Sequence, residues 1–264
     1  MDSPCIDGFS RIRFFYAGYD YTVYRGGNGP AVIVVHENPG ITPEVIRFAR
    51  YVIEAGFTVY MPSLFGTVGR GYDVPNLARQ MVLSCIRKEF AALSRGRSSP
   101  VTDFLRGLCR HAHTECGGIG VGVIGMCLTG NFALSLMVES VVVAPVLSQP
   151  SLPAGLTKAA RADLHVSDAE LATIRYRVAN ENLKVLGLRF THDTLCPKAR
   201  FNRLRFELGE HFEGIEIDSS PGNPHGNPVL AHSVLTLHLV DREGHPTRQA
   251  LDRTLKFFHE RLLV

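Results

Sequence analysis

The chain has 264 residues, 45% of them hydrophobic, with 28 Lys and Arg against 25 Asp and Glu and a formal net charge of +3. That length and apolar share suffice for a full core, expected as a single domain over residues 1–264, and the scattered charges form no basic block that would track nucleic acid. No stretch approaches the roughly 18 apolar residues of a membrane span, and the Met1-Asp2-Ser3-Pro4-Cys5 start has no signal-peptide pattern, so a cytoplasmic protein is expected.

Residues 11–24 alternate as an antiparallel hairpin does, and Arg25-Gly26-Gly27-Asn28-Gly29-Pro30 is a turn cluster. Then the pattern changes. Ala31 to Val35 is a continuous β-branched run of the kind found in parallel strands buried on both faces, and similar runs follow at 57–60, 120–124, 140–144 and 183–190. Helical stretches at 43–55, 76–94, 101–113, 129–138 and 197–209 separate them, and a strand at 214–217 and a helix at 246–262 close the chain. Alternating strands and helices predict an α/β fold with a mostly parallel sheet and helices on both faces. Residues 148–182 form a longer excursion, either a lid or a crossover helix with a long lead-in, whose Ser167-Asp168-Ala169-Glu170 reads as a capping box.

The hexapeptide Gly125-Met126-Cys127-Leu128-Thr129-Gly130 lies between a buried strand and a helix. A thiol at such an apex is exposed by the sharp turn, and the helix start behind it offers backbone N–H groups to an oxyanion. A strand-end nucleophile needs a base and a group to orient the base, both from neighbouring strand ends. Asp193 follows the 183–190 strand, and His225 and His232 follow the 214–217 strand, giving the order nucleophile, acid, histidine. Glu37 follows the first buried strand in His36-Glu37-Asn38-Pro39-Gly40-Ile41, where it would lie beside Cys127, with the amides of Asn38 and Leu128 as the oxyanion pair. Taken singly, each feature has a plainer explanation, as a packed strand–helix junction, a helix cap or a surface loop. In order, and each at a strand end, they point to covalent catalysis.

In these features the chain resembles the dienelactone hydrolase family of α/β-hydrolases, over roughly residues 30–262. The resemblance implies hydrolysis of a small-molecule ester or lactone by a Cys-His-Asp triad, without metal or organic cofactor. It makes Cys127 the nucleophile, Asp193 the orienting acid and Glu37 the carboxylate that contacts the resting thiol. Two departures stand out. The family's elbow usually reads Gly-x-Cys-x-Gly-Gly, so Thr129 adds a Cβ expected to crowd the turn, and the family's histidine segment is not intact. His225 has the shorter separation from Asp193, and His232-Ser233-Val234 has the better local match. His232 is the choice, because His225 sits among turn formers that suit a surface loop.

The alternative is a catalytically weak binding or redox-sensing protein on the same scaffold. Six cysteines (Cys5, Cys85, Cys109, Cys116, Cys127, Cys196) are read as mostly reduced, buried thiols. The segment Cys109-Arg110-His111-Ala112-His113-Thr114-Glu115-Cys116 holds metal-ligand types, but His111 and His113 cannot share a helix face, so a helix end is expected. The family's lactones carry a carboxylate, for which Arg87, Arg106, Arg200, Arg203 and Arg205 are candidate clamps, most of them on predicted amphipathic helices.

Overall fold

The computed structural model describes residues 4–72, 100–151 and 161–263, so the helix expected at 76–94, with Arg87, lies outside the described residues. Eight strands form one sheet: β1 (Ser10–Tyr16), β2 (Tyr19–Gly26), β3 (Ala31–Val35), β4 (Thr58–Pro62), β5 (Val121–Met126), β6 (Val142–Ser148), β7 (Val185–Phe190) and β8 (Phe212–Ile217). Their order is β1-β2-β4-β3-β5-β6-β7-β8. The first two form the antiparallel hairpin, β2 pairs antiparallel with β4, and the others run parallel. Helices α1 (Pro43–Glu54), α2 (Pro100–Cys116), α3 (Gly130–Ser135), α4 (Asp168–Asn180), α5 (Lys198–Leu208) and α6 (Pro246–Leu262) complete the described elements. None of the described helices is long and apolar enough to cross a membrane.

Apolar spacing assigns the helices to two layers. Val45, Phe48 and Val52 of α1 pack with Leu251, Phe257 and Phe258 of α6 on one face, while Phe104 (α2), Phe132 (α3), Ile174 (α4) and Phe201 (α5) fill the other. Strands β3, β4 and β5 are buried at every position, which explains their lack of polar alternation. Parallel strands all end on one edge, so the segments after β3, β5, β6, β7 and β8 converge there.

The helix expected at 129–138 is broken. It runs as a 3-10 turn (Cys127–Thr129), the six-residue α3 and a second 3-10 turn (Leu136–Val138). Strand β6 extends to Ser148 rather than stopping at 144, because Pro145 stays within the strand, opposite Val123. Of the excursion at 148–182, residues 152–160 lie outside the described residues. Its helix α4 begins with the expected capping box, the Glu170 amide donating to Ser167 Oγ at 3.2 Å and the Ser167 amide to Glu170 Oε2 at 2.8 Å. Buried Arg177 ties α4 to the body of the fold by donating to the carbonyls of Met137, Glu139, Ser140 and Val142.

Candidate active site

Cys127 begins the turn directly after β5 with φ +55°, a left-handed conformation that a β-carbon disfavours. Close packing enforces the bend. A Cβ on Gly125 would lie 2.1 Å from the Thr129 carbonyl oxygen, and one on Gly130 would lie 2.6 Å from Pro150 Cα. Glycine at both positions is therefore what lets the strand, the turn and α3 meet.

Thr129 does not crowd the elbow. Its φ is −88°, and its buried hydroxyl accepts the Met126 N–H at 3.0 Å while lying 2.9 Å from the Val35 carbonyl and 3.1 Å from that of His36. The side chain thus bolts the nucleophile turn to the end of β3. Thr129→Val keeps the shape but strands the Met126 N–H, and an orphaned buried donor costs about 1–3 kcal/mol. We expect a loss of that size in urea unfolding, and an unchanged midpoint would contradict this role.

Asp193, 5% exposed, uses its two oxygens differently. Oδ1 accepts the amides of Leu195 (2.9 Å) and Cys196 (3.1 Å), while Oδ2 faces His232 Nδ1 at 2.7 Å. A local turn role and an orienting role are thus both filled. Buried Arg189 supports the turn from below, donating to the carbonyls of Cys196 at 2.9 Å and Thr191 at 3.0 Å. His225 is exposed and lies against His245, ring centroids 5.9 Å apart, rather than at Asp193.

Cys127 Sγ, one ring nitrogen of His232 and one carboxylate oxygen of Glu37 all lie within 4.8 Å of one another. Because Nδ1 is taken by Asp193, Nε2 is the nitrogen left for the sulfur. Burial opposes the charged form of His232, but the nearby Cys127 and the hydrogen bond to Asp193 outweigh it and hold this imidazole well above the usual histidine range.

Glu37, 1% exposed, sits in a cage of four donors. Tyr72 Oη donates to Oε1 at 2.6 Å, as does Thr236 Oγ1, while Oε2 accepts from Ser233 Oγ at 2.7 Å and Gln149 Nε2 at 3.2 Å. Two donors per oxygen match the acceptor capacity of a carboxylate. Glu37 does not cap α1; Thr42 does, accepting the Val45 amide. The loop bearing Glu37 closes with the Gly40 amide on the Glu37 carbonyl at 2.8 Å; its Asn38 and the elbow's Leu128 are both buried.

His36 anchors that loop from within the core. The Leu64 amide donates to its Nε2 at 3.1 Å, so Nδ1 carries the proton and donates to the Glu37 carbonyl, also at 3.1 Å. Burial lowers its pKa to about 4, against a partial lift from the carbonyl. A lowered histidine pKa means the unfolded chain binds the proton first as pH falls. Stability should therefore drop between about pH 6.5 and about pH 4, by up to about 3 kcal/mol. Urea midpoints of the parent and His36→Gln across that window check this, and equal acid slopes would contradict it.

The sequence reading missed Ser148, Gln149 and Ser151 at the end of β6, Tyr72, Thr236 and His238. Ser151 Oγ lies 3.1 Å from Cys127 Sγ, and its amide donates to the Cys127 carbonyl at 2.9 Å. Gln149, with φ +34°, bridges Glu37 and the Val234 amide. His238 Nδ1 faces the amides of His232 and Ser233. The available signal was polar residues closing an apolar parallel strand, in Ser148-Gln149-Pro150-Ser151.

A model of the dienelactone hydrolase family matches residues 17–262. The chain belongs to the dienelactone hydrolase family. As a member of it, the protein is a hydrolase of the ester or lactone type. Comparison with curated proteins returned no match. Among solved structures, one from Klebsiella pneumoniae assigned as a dienelactone hydrolase is 18% identical, with TM-score 0.65, covering 96% of this chain and 98% of its own. The Anabaena variabilis dienelactone hydrolase is 12% identical, with TM-score 0.61 and the same two coverages, 96% and 98%. A dienelactone hydrolase-like promiscuous phosphotriesterase from metagenomic libraries is 18% identical, with TM-score 0.62, again over 96% and 98%. At these identities the likeness establishes the α/β-hydrolase fold.

Of the four described arginines named as carboxylate clamps, Arg200 lies within electrostatic reach of Asp193. Arg106 pairs with Asp103 and Glu170, Arg203 with Glu207 and Arg205 with Glu216, while Arg200 donates to the carbonyls of Pro150 and Asp163. In the Cys109–Cys116 segment, Cys109 is in the core, His111 stacks on Phe14 and His113 turns to the Gly118 carbonyl. The metal-ligand types that do gather among the described residues are Glu37, Cys127 and His232, which could hold a metal ion. Burial pushes the thiols of Cys109 and Cys196 up, leaving them inert beside Cys127.

Proposed function

We propose that this family member cleaves a small carboxylic ester or lactone through a thioester on Cys127. The observation that carries this reading is the line from buried Asp193 through His232 toward a thiol held at positive φ. The thiolate attacks the carbonyl carbon, and the amides of Leu128 and Asn38 receive the negative charge that moves onto oxygen. As the carbon–oxygen ester bond breaks, His232 gives its proton to the departing alkoxide. It then takes one from water, whose oxygen attacks the thioester and frees the acid and the thiol.

Asp193 keeps the imidazole in one tautomer and orientation. Glu37, held by its four donors, keeps its carboxyl group close to the sulfur without entering the bond-making steps. No metal or organic cofactor enters these steps. The test is turnover of an activated aryl ester and a panel of small lactones. Saturable hydrolysis of at least one lactone is expected, and absence of turnover across both sets would contradict the reading.

A further inference from the structure

The sulfur has a hydrogen-bonding neighbour outside the triad, just beyond the end of β6. Ser151 Oγ is 3.1 Å from Cys127 Sγ, as short as an N–H···O bond although sulfur is the larger atom. A thiol and a hydroxyl at this distance can each donate, and once the sulfur is a thiolate only the serine hydroxyl can. The placement is built. Ser151 is 4% exposed, its amide is bonded to the Cys127 carbonyl at 2.9 Å, and buried Arg200 holds the preceding Pro150 carbonyl at 2.6 Å. The same Pro150 packs against Gly130, where no Cβ fits, so the elbow and the end of β6 are seated on each other.

We propose that Ser151 is a further catalytic residue, whose hydroxyl donates to the Cys127 sulfur and stabilises its thiolate. This rests on the reading of Cys127 as nucleophile. Around the sulfur, Ser151 Oγ lies at 3.1 Å, and a ring nitrogen of His232 and a carboxylate oxygen of Glu37 lie within 4.8 Å. On acylation the sulfur loses its charge and the Ser151 bond weakens. The hydroxyl therefore acts on the attacking state, and it also holds the thiolate lone pairs in one direction.

Alkylation of Cys127 by iodoacetamide, followed against pH by mass spectrometry of the Cys127 peptide, reads the thiolate without requiring turnover. Site resolution matters because Cys5 is exposed. Loss of one hydrogen bond to a charged group should cut the alkylation rate of Ser151→Ala about tenfold on the acid limb, displacing the profile upward by about one pH unit. Ser151→Thr keeps the hydroxyl and should follow the parent. A parental profile in Ser151→Ala overturns the proposal, as does a Ser151→Thr profile displaced as far as that of Ser151→Ala. Failure of the hydrolytic reading shows separately, as turnover retained in Cys127→Ala.

Discussion

Replacing Cys127 with alanine should reduce ester hydrolysis by roughly four orders of magnitude or more, since the covalent route loses its nucleophile. What survives in such a variant is binding and an oxyanion hole, which act on a water the site was not shaped to aim. The fold should be intact. Cys127 is small and the elbow's bend is held by Gly125, Gly130 and the Thr129 hydroxyl, so its loss leaves at most a small void. Alanine also tolerates the φ of +55° no worse than cysteine does. Initial rates on the aryl ester, with circular dichroism as a control for folding, provide the check. Parental turnover in a folded Cys127→Ala would remove the thiol from the mechanism.

The second large effect is expected at His232. On the proposed mechanism, its replacement by alanine takes away the proton carrier for both half-reactions and should lower kcat by roughly 10²–10⁴. The cause is specific to geometry, because the buried Asp193 Oδ2 lies 2.7 Å from Nδ1 of the half-buried His232. His225→Ala is the matched comparison. That residue is exposed beside His245, so parental kinetics are expected there. If His225→Ala were inactive and His232→Ala active, the base would be misassigned although the nucleophile would stand.

Much of this arrangement was legible in the chain because it depends on local signals. Buried parallel strands are continuous apolar runs, and Gly125 and Gly130 bracket a turn with no room for a Cβ. The order of Cys127, Asp193 and His232 follows from functional groups sitting at successive strand ends. Long-range contacts were less legible. Thr129 looked like an intrusion because the sequence shows its Cβ and not the Val35 and His36 carbonyls that its hydroxyl meets. Ser151 was hidden for a similar reason. The apolar run at 140–144 and the excursion from 148 left Ser148, Gln149 and Ser151 as loop, whereas Ser148 ends β6, Gln149 meets Glu37 and Ser151 meets the sulfur.

Glu37 shows both sides of this. Its position after β3 was visible, whereas its cage comes from Tyr72, Gln149, Ser233 and Thr236, which are 35 to 199 residues away in sequence. No periodicity or motif encodes such a set. The elements that carry it are ordinary, and only the convergence of strand ends brings the donors together.

The central claim is a covalent intermediate on one sulfur. The direct measurement is rapid acid quench of the enzyme with p-nitrophenyl acetate during the pre-steady-state burst, followed by peptide mass spectrometry. The account predicts one acetyl group per chain on Cys127, released by neutral hydroxylamine as a thioester is, and absent in Cys127→Ala. An acetyl group on another side chain, or a burst with Cys127 unmodified, would contradict it.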